Sequence, residues 1–344
     1  MTSSTIARPS GRLREERQFA FLKEREKTGL ESHWRTLLPH LKPIRAGRAP
    51  RREVRVALED PVVGQVWISG SLRVPEGARE LLVLVHGLGG SSESPYCRMA
   101  ALEAEREGLA TFSISLRGAD RRGEDFYNIA LTADLHAAIG APELREFESI
   151  DLLGFSMGGH VALTYACEVG DQRVRSVAAL CTPLDLEIEQ RYFDEHLFPL
   201  YRRHVLQGLK SIYMAVAARR EVPSDPRLVQ AVETVYEWDR LTIAPRYGFE
   251  SPEAYYHELS VARRLPRLRM PALLLALERD PIVPQAAIRA PLAALDEHPP
   301  LLDLRWIGKG GHVALASDVS LGMSAGPGLV RQVSAWMRER GGGR

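Results

Sequence analysis

Ser156 stands in the run Gly154-Phe155-Ser156-Met157-Gly158-Gly159, behind the apolar stretch Ile150-Asp151-Leu152-Leu153 and ahead of Val161-Ala162-Leu163-Thr164-Tyr165-Ala166-Cys167. A strand former, a glycine-flanked serine and a helix former are the context in which G-x-S-x-G marks an activated serine. The chemistry accounts for the glycines. A nucleophile at the tip of a sharp strand-to-helix turn is held in a strained backbone conformation, where neighbouring side chains would collide. Such a turn lifts the hydroxyl clear of the sheet and aims the amides of the helix N-terminus at the reacting group. An ordinary Gly-Ser-Gly turn would read the same way, so the assignment depends on the rest of the chain.

A serine hydroxyl needs a base within hydrogen-bond reach, and the base needs an orienting acid. Asp280 follows the apolar run Ala272-Leu273-Leu274-Leu275-Ala276-Leu277, and His312 follows the strand pattern of residues 301–307 in a loop rich in glycine. The chain order Ser156, Asp280, His312 is that of triads built on a serine elbow. The competitors fit less well. Glu278 lies where its strand is still ending, and Asp296 and Asp303 fall outside that loop. His160, one helical turn beyond the serine, is expected to pack against the sheet. His196, His204 and His257 read as structural, and His86 as shaping the loop His86-Gly87-Leu88-Gly89-Gly90-Ser91-Ser92. An oxyanion hole draws on backbone amides, one from the residue after the nucleophile and one from a loop beside it. Those are Met157 and Leu88.

The elements that must position these groups are legible as a pattern. Residues 53–58 and 64–69 alternate around Asp60-Pro61 and predict an antiparallel hairpin at a sheet edge. Leu81-Leu82-Val83-Leu84-Val85 is continuously apolar, as a strand covered on both faces must be. Helices at 98–108 and 131–139 then alternate with strands at 110–116 and into Ser156, and a further strand is expected at 176–181. That alternation predicts a mostly parallel sheet flanked by helices, with ligands beyond the carboxyl ends of its strands. Residues 184–266 break the rhythm and predict a helical cap inserted after the sixth strand, with an amphipathic helix at 205–218. Its aromatic run, residues 192–201, can line an acyl pocket or hold the cap on its base. A helix over 329–338 closes the fold. The expected organisation is an N-terminal extension with helices at 1–50, a core at 51–183, the cap at 184–266 and the second part of the core at 267–344. Within the extension, 12–27 and 31–43 read as helices and 45–52 as a linker.

The 344 residues are 45% hydrophobic and carry a formal net charge of +1, which gives no electrostatic case for a nucleic-acid partner. Residues 1–60 are rich in arginine, enough for weak peripheral contact with an anionic membrane surface, although a solvated face explains them as well. Cys97, Cys167 and Cys181 form neither a metal spacing nor an even disulfide set, as suits a reducing compartment. No signal peptide or bilayer-spanning run is read, so stable membrane insertion is not expected and a cytoplasmic location is.

With these residues in place the chain resembles the α/β-hydrolases, and among them the AB hydrolase 4 family of YheT-like hydrolases, embryogenesis-associated proteins and lipases acting on monoacylglycerols and phospholipids. The resemblance covers roughly residues 30–338. It is carried by Ser32-His33-Trp34-Arg35-Thr36-Leu37-Leu38-Pro39, the loop His86 to Ser92, Arg117-Gly118, the elbow, and Gly310-Gly311-His312-Val313. The discriminating part is Trp238-Asp239 with Thr242-Ile243-Ala244-Pro245-Arg246-Tyr247-Gly248-Phe249 and Tyr255-Tyr256. The chain departs from the family at Arg279, where a second acid is common, and at His160, where asparagine is. The resemblance implies a cofactor-free and metal-free serine hydrolase of carboxylic esters, acting on small, lipid-derived molecules. Transfer of the acyl group to an alcohol, or a catalytically silent binding module on the same fold, are the other readings.

Overall fold

A computed structural model describes Thr36 and residues 47–168, 170–315 and 318–342. The helices expected at 12–27 and 31–43 and the start of the linker lie outside these residues, Thr36 excepted. An eight-stranded sheet runs in the order β1-β2-β4-β3-β5-β6-β7-β8. Its strands are β1 Arg51–Asp60, β2 Gly64–Arg73, β3 Glu80–Val85, β4 Ala110–Ser115, β5 Ser149–Phe155, β6 Val174–Leu180, β7 Ala272–Leu277 and β8 Leu302–Ile307. β1 and β2 form the expected edge hairpin, longer than its alternation shows. Arg51 pairs with Arg73 because β2 runs on to meet β4, so the end of the expected linker becomes strand. From β4 to β8 every pairing is parallel.

The continuous apolar runs are explained by two cores. Leu81, Val83 and Val85 of β3 join one, while Leu82 and Leu84 join the other. β7 divides the same way, Leu274 to one face and Leu273, Leu275 and Leu277 to the other. Successive side chains on a strand point to opposite faces, so a central strand must be apolar at every position. Helices α1 Pro95–Arg106, α2 Thr132–Ile139 and α3 Met157–Glu168 follow β3, β4 and β5 respectively.

Between β6 and β7 the described chain is helical throughout: α4 Leu186–Glu195, α5 Pro199–Ala217, α6 Pro226–Ala231, α7 Val235–Leu241, α8 Ile243–Tyr247 and α9 Pro252–Leu259, ending in a 3-10 turn at Val261–Arg267. α4 begins where the Asp185 side chain accepts the amides of Glu187 and Ile188, both at 3.0 Å, a cap that satisfies two orphan donors. α5 starts at Pro199, several residues before the expected amphipathic stretch, since proline at the first helical position loses no hydrogen bond. The chain closes with α10 Ala286–Ala293, a two-residue antiparallel ladder of β9 Gly310–Gly311 and β10 Ala314–Leu315, and α11 Leu329–Gly341.

A buried charge network ties this helical insertion to the sheet. Arg117, just past β4, donates to Asp134 of α2 from Nε at 2.9 Å and Nη2 at 2.7 Å, and from Nη1 to Asp60 at 2.6 Å and Asp125 at 2.9 Å. Arg246 of α8 reaches the same two acids, Asp125 at 2.6 and 2.9 Å and Asp60 at 3.0 Å. The Tyr247 hydroxyl donates to the Phe126 carbonyl beside them. Asp60 and Asp125 are both shared by the two guanidinium groups, and without Asp125 Arg246 loses its two-pronged partner and keeps only Asp60. Asp125→Ala should therefore lower unfolding free energy by about 3–5 kcal/mol, read from urea denaturation. A loss of a few tenths would show that the network is not a tie.

Candidate active site

Ser156 has φ +52°, a left-handed conformation that costs a non-glycine residue about 1–3 kcal/mol. The surroundings impose it. The Ser156 amide donates to the Leu180 carbonyl of β6 at 2.7 Å, and its own carbonyl accepts from Gly159 N–H and the Thr182 hydroxyl, each at 2.9 Å. Helix α3 is pressed so close that a Cβ on Gly158 would meet the backbone carbonyls of Val85 and His86, and one on Gly159 the Thr182 hydroxyl. Gly87 crosses above, where a Cβ would lie 3.3 Å from Cβ of Ser156.

The structure brings His312 and Asp280 together. Nδ1 of His312 lies 3.0 Å from each carboxylate oxygen of Asp280, and both residues are buried. Asp280 Oδ1 also accepts the amides of Ile282 at 2.8 Å and Val283 at 3.1 Å, so the acid is fixed by its own loop. His312 sits in the turn of the β9–β10 ladder, a feature absent from the expected pattern, with Val313 at φ +53° beside it. Its amide donates to the Thr36 hydroxyl at 2.8 Å. Thr36 belongs to the N-terminal motif, to which no chemistry was assigned; separated by 276 positions, the two have no local signal in common.

The rejected candidates lie elsewhere. Asp303 is engaged by Arg305 and, at 2.9 Å, by the Trp336 indole N–H. His160 does not simply pack on the sheet. Its ring bridges the Ile129 carbonyl at 3.0 Å and the Val261 amide at 3.1 Å, joining α3 to the end of the insertion. His204 of α5 does face the cavity described below.

His86 orients the loop expected to hold the second donor. Its Nε2 accepts the Leu116 amide at 3.3 Å, which leaves Nδ1 to donate to the Gly87 carbonyl at 2.8 Å. Gly90 N–H donates to that carbonyl as well, at 3.1 Å. In a trans peptide the Leu88 N–H points the opposite way from the Gly87 carbonyl. The flanking amides are committed, Gly87 to the Tyr96 hydroxyl at 2.9 Å and Gly89 to that of Tyr127 at 2.8 Å. Among the described residues the Leu88 N–H has no protein acceptor. Met157 is the first residue of α3, so its amide is one of the helix's unpaired donors.

Ser156, His312, Leu88 and Met157 all line one cavity of about 740 Å³. Its walls are mainly apolar and come from both layers: Tyr127 and Ile129 from the sheet side, and Phe193, Tyr201, Leu209 and Trp238 from the insertion. The aromatic run divides accordingly. Phe193 and Tyr201 face the cavity, whereas Tyr192 stacks on His196 at 5.5 Å. Two buried acids stand here, Glu189 of α4, which carries no sequence signal, and Asp239 of α7, legible only as part of the Trp238-Asp239 motif. Asp239 accepts the Tyr256 hydroxyl at 2.7 Å, and burial lifts its carboxyl to about 8.

Cys181, Asp280 and His312 present ligand-type atoms within 4.8 Å of one another. Burial, with Asp280 adding to it, pushes the Cys181 thiol well up, and a metal ligand must be the thiolate. Asp280 and Nδ1 are already paired, so these residues fit an acid–base pair better than a metal centre.

The sequence profile described as the alpha/beta hydrolase fold matches residues 80–318, more than half of the chain. The chain belongs to that family. YheT of Escherichia coli (strain K12), which bears an esterase name, is 26% identical over 302 residues, 84% of this chain and 85% of that protein. The monoacylglycerol lipase of Saccharomyces cerevisiae is 24% identical over 300 residues, 82% of this chain but 63% of the lipase. The medium-chain fatty acid ethyl ester synthase/esterase 2 of the same yeast is 25% identical, over 68% of this chain and 57% of that one. These relatives place the chain among esterase- and lipase-type hydrolases. The Pyrococcus furiosus esterase Pf2001 shares the fold with a TM-score of 0.50 at 16% identity, over 77% of this chain and 85% of its own. DcsB does so with 0.54 at 15%, over 86% and 100%. No helix among the described residues is long and apolar enough to cross a membrane.

The buried imidazoles leave a mark on stability. Burial lowers His86 from 6.5 to about 4 and His160 from 6.5 to about 3. As pH falls below 6.5 the unfolded chain takes up these protons before the folded one does. The stability is therefore fully present above 6.5 and is lost on the way down to about 4 and about 3, by up to about 1.4 kcal/mol per pH unit for each histidine. His160→Asn should flatten the fall between those limits by that amount, measured by urea unfolding across a pH series. Superimposable pH profiles would contradict it.

Proposed function

We propose that the protein is a serine hydrolase of carboxylic esters that works through an acyl-enzyme on Ser156. The observation that carries the reading is the Asp280–His312 pair and the strained Ser156 facing one largely apolar cavity. Ser156 Oγ attacks the ester carbonyl carbon while His312 Nε2 takes its proton. The amides of Leu88 and Met157 receive the charge that builds on the carbonyl oxygen, a contribution of about 2.7–4 kcal/mol per donor in such sites. His312 then returns the proton to the leaving alcohol oxygen, the ester C–O bond breaks, and the acyl group stays on Ser156. Water repeats the sequence and frees the acid. Asp280 keeps Nδ1 protonated so that Nε2 is the basic nitrogen. Residues 184–266 act as a cap over the acyl chain, and their aromatic wall suits a small, lipid-derived ester. The esterase and lipase names of the relatives support the same substrate class.

A fluorophosphonate probe should label the wild type and fail to label Ser156→Ala. Labelling that survives the substitution, or none of the wild type, would sink the mechanism. Among the acids, Asp280→Asn should lower kcat on a p-nitrophenyl ester by about 10⁴-fold, with Glu278→Gln close to wild type. The reverse ranking would move the acid to Glu278.

A further inference from the structure

Three acids in the cavity wall go unused by the scheme above, Glu93, Glu189 and Asp239; Glu93 is paired with Arg51 and Asp239 with Tyr256, which leaves Glu189. It lies on α4, 8% exposed, and among the described residues its side chain has neither a hydrogen bond nor an ion pair. Oε2 is closed off from solvent with no hydrogen-bond partner among the described residues. The acid two positions back, on the opposite side of the helix, tells the position apart. Glu187 is half exposed and pairs with Arg191 one turn along, as a surface acid does, while Glu189 turns inward. Asp239 differs too, since the Tyr256 hydroxyl satisfies it.

Burial, and after it the charge of Asp280, holds the Glu189 carboxyl well above the usual carboxylate range. The Asp280 carboxylate belongs to the loop after β7, and Arg121, His204 and His312 are the basic groups on the cavity wall. None of them is hydrogen-bonded to Glu189. A carboxyl that keeps its proton in a largely apolar wall has an O–H to donate, and a buried donor left without an acceptor is costly. Oε1, unlike Oε2, is not closed off, and the cavity that Glu189 lines is the open side, where the substrate goes.

We infer that Glu189 donates its O–H to a neutral oxygen of the substrate, so that the site favours esters bearing a hydroxyl or ether oxygen over their all-carbon isosteres. This deepens the ester-hydrolase reading and rests on it. The ether is the telling case. A carboxylic acid can donate to it, whereas a carboxylate cannot, and a carboxylate would prefer a hydroxyl or a cation.

Two matched pairs test the idea on either side of the scissile bond: 2-methoxyethyl butyrate against butyl butyrate, and ethyl 4-methoxybutyrate against ethyl hexanoate. The readout is the ratio of kcat/KM within each pair. Glu189→Leu and Glu189→Met should lower that ratio in one pair by about 2- to 10-fold, the worth of one neutral hydrogen bond. Glu189→Gln, whose amide still donates, should keep most of the preference. An unchanged ratio in the apolar variants, whatever happens to absolute rates, overturns the inference, and so does Glu189→Gln behaving like Glu189→Leu. A second readout needs no turnover. At neutral pH the protonated-carboxyl C=O band in the infrared spectrum of the wild type, to which Asp239 also contributes, should lose a component in Glu189→Gln. An unchanged band in Glu189→Gln overturns the inference even where fluorophosphonate labelling of Ser156 succeeds. Failed labelling with that component present faults the hydrolase reading instead.

Discussion

The arrangement of the site rests on one steric constraint: helix α3 leaves the sheet at Ser156 with no room for a Cβ at Gly154, Gly158 or Gly159. Each glycine lets a different piece of backbone come close. Gly158 admits the ends of β3, Gly159 admits Thr182 after β6, and Gly154 lets the strand pass beneath its own helix. The strain at Ser156 is the result, and it is offset by three backbone and hydroxyl hydrogen bonds that span β5 and the end of β6. Because β3, β5 and β6 are adjacent and parallel, the same packing sets the loop of Leu88 beside the serine. Ser156 and the loop are therefore positioned by a single contact region.

The second organising feature is electrostatic. Two buried guanidinium groups share Asp60 and Asp125 across the boundary between sheet and insertion. Hydrophobic contact alone is non-directional and would allow the insertion to slide over the strand ends. Fork-shaped donors on fixed carboxylates do not, since bidentate geometry is specific in angle as well as distance. The network places α8 relative to the β1–β2 turn, and with it the aromatic wall of the cavity.

What the sequence made legible follows from range. The strands were readable because burial on both faces requires apolar residues at every position, and the elbow because its glycines are adjacent in the chain. Asp280 and His312 could be nominated because each follows a readable strand, and they do meet. Glu189 could not. In Leu186-Glu187-Ile188-Glu189 the two acids look alike, and only the packing of α4 on the cavity separates them. The Asp60–Arg246 contact joins residues 186 positions apart, so neither neighbourhood carries a trace of it, although both arginines stand in motifs that were noticed. His160 is legible as a packed histidine, but its partners are not, since they come from two distant segments.

Gly89 and Gly208 meet where the donor loop passes under α5. A Cβ on Gly208 would approach Cα of Gly89 to 3.0 Å, and one on Gly89 would come within 2.9 Å of the Val205 carbonyl. Here insertion and loop touch through bare main chain, with no side chain between them to act as a cushion. Flexible side chains absorb small displacements by changing rotamer, but main chain in contact with main chain transmits them. The insertion and the loop beside Ser156 thus meet at a gap narrower than a methyl group, so a side chain added to either glycine would have to push the two apart.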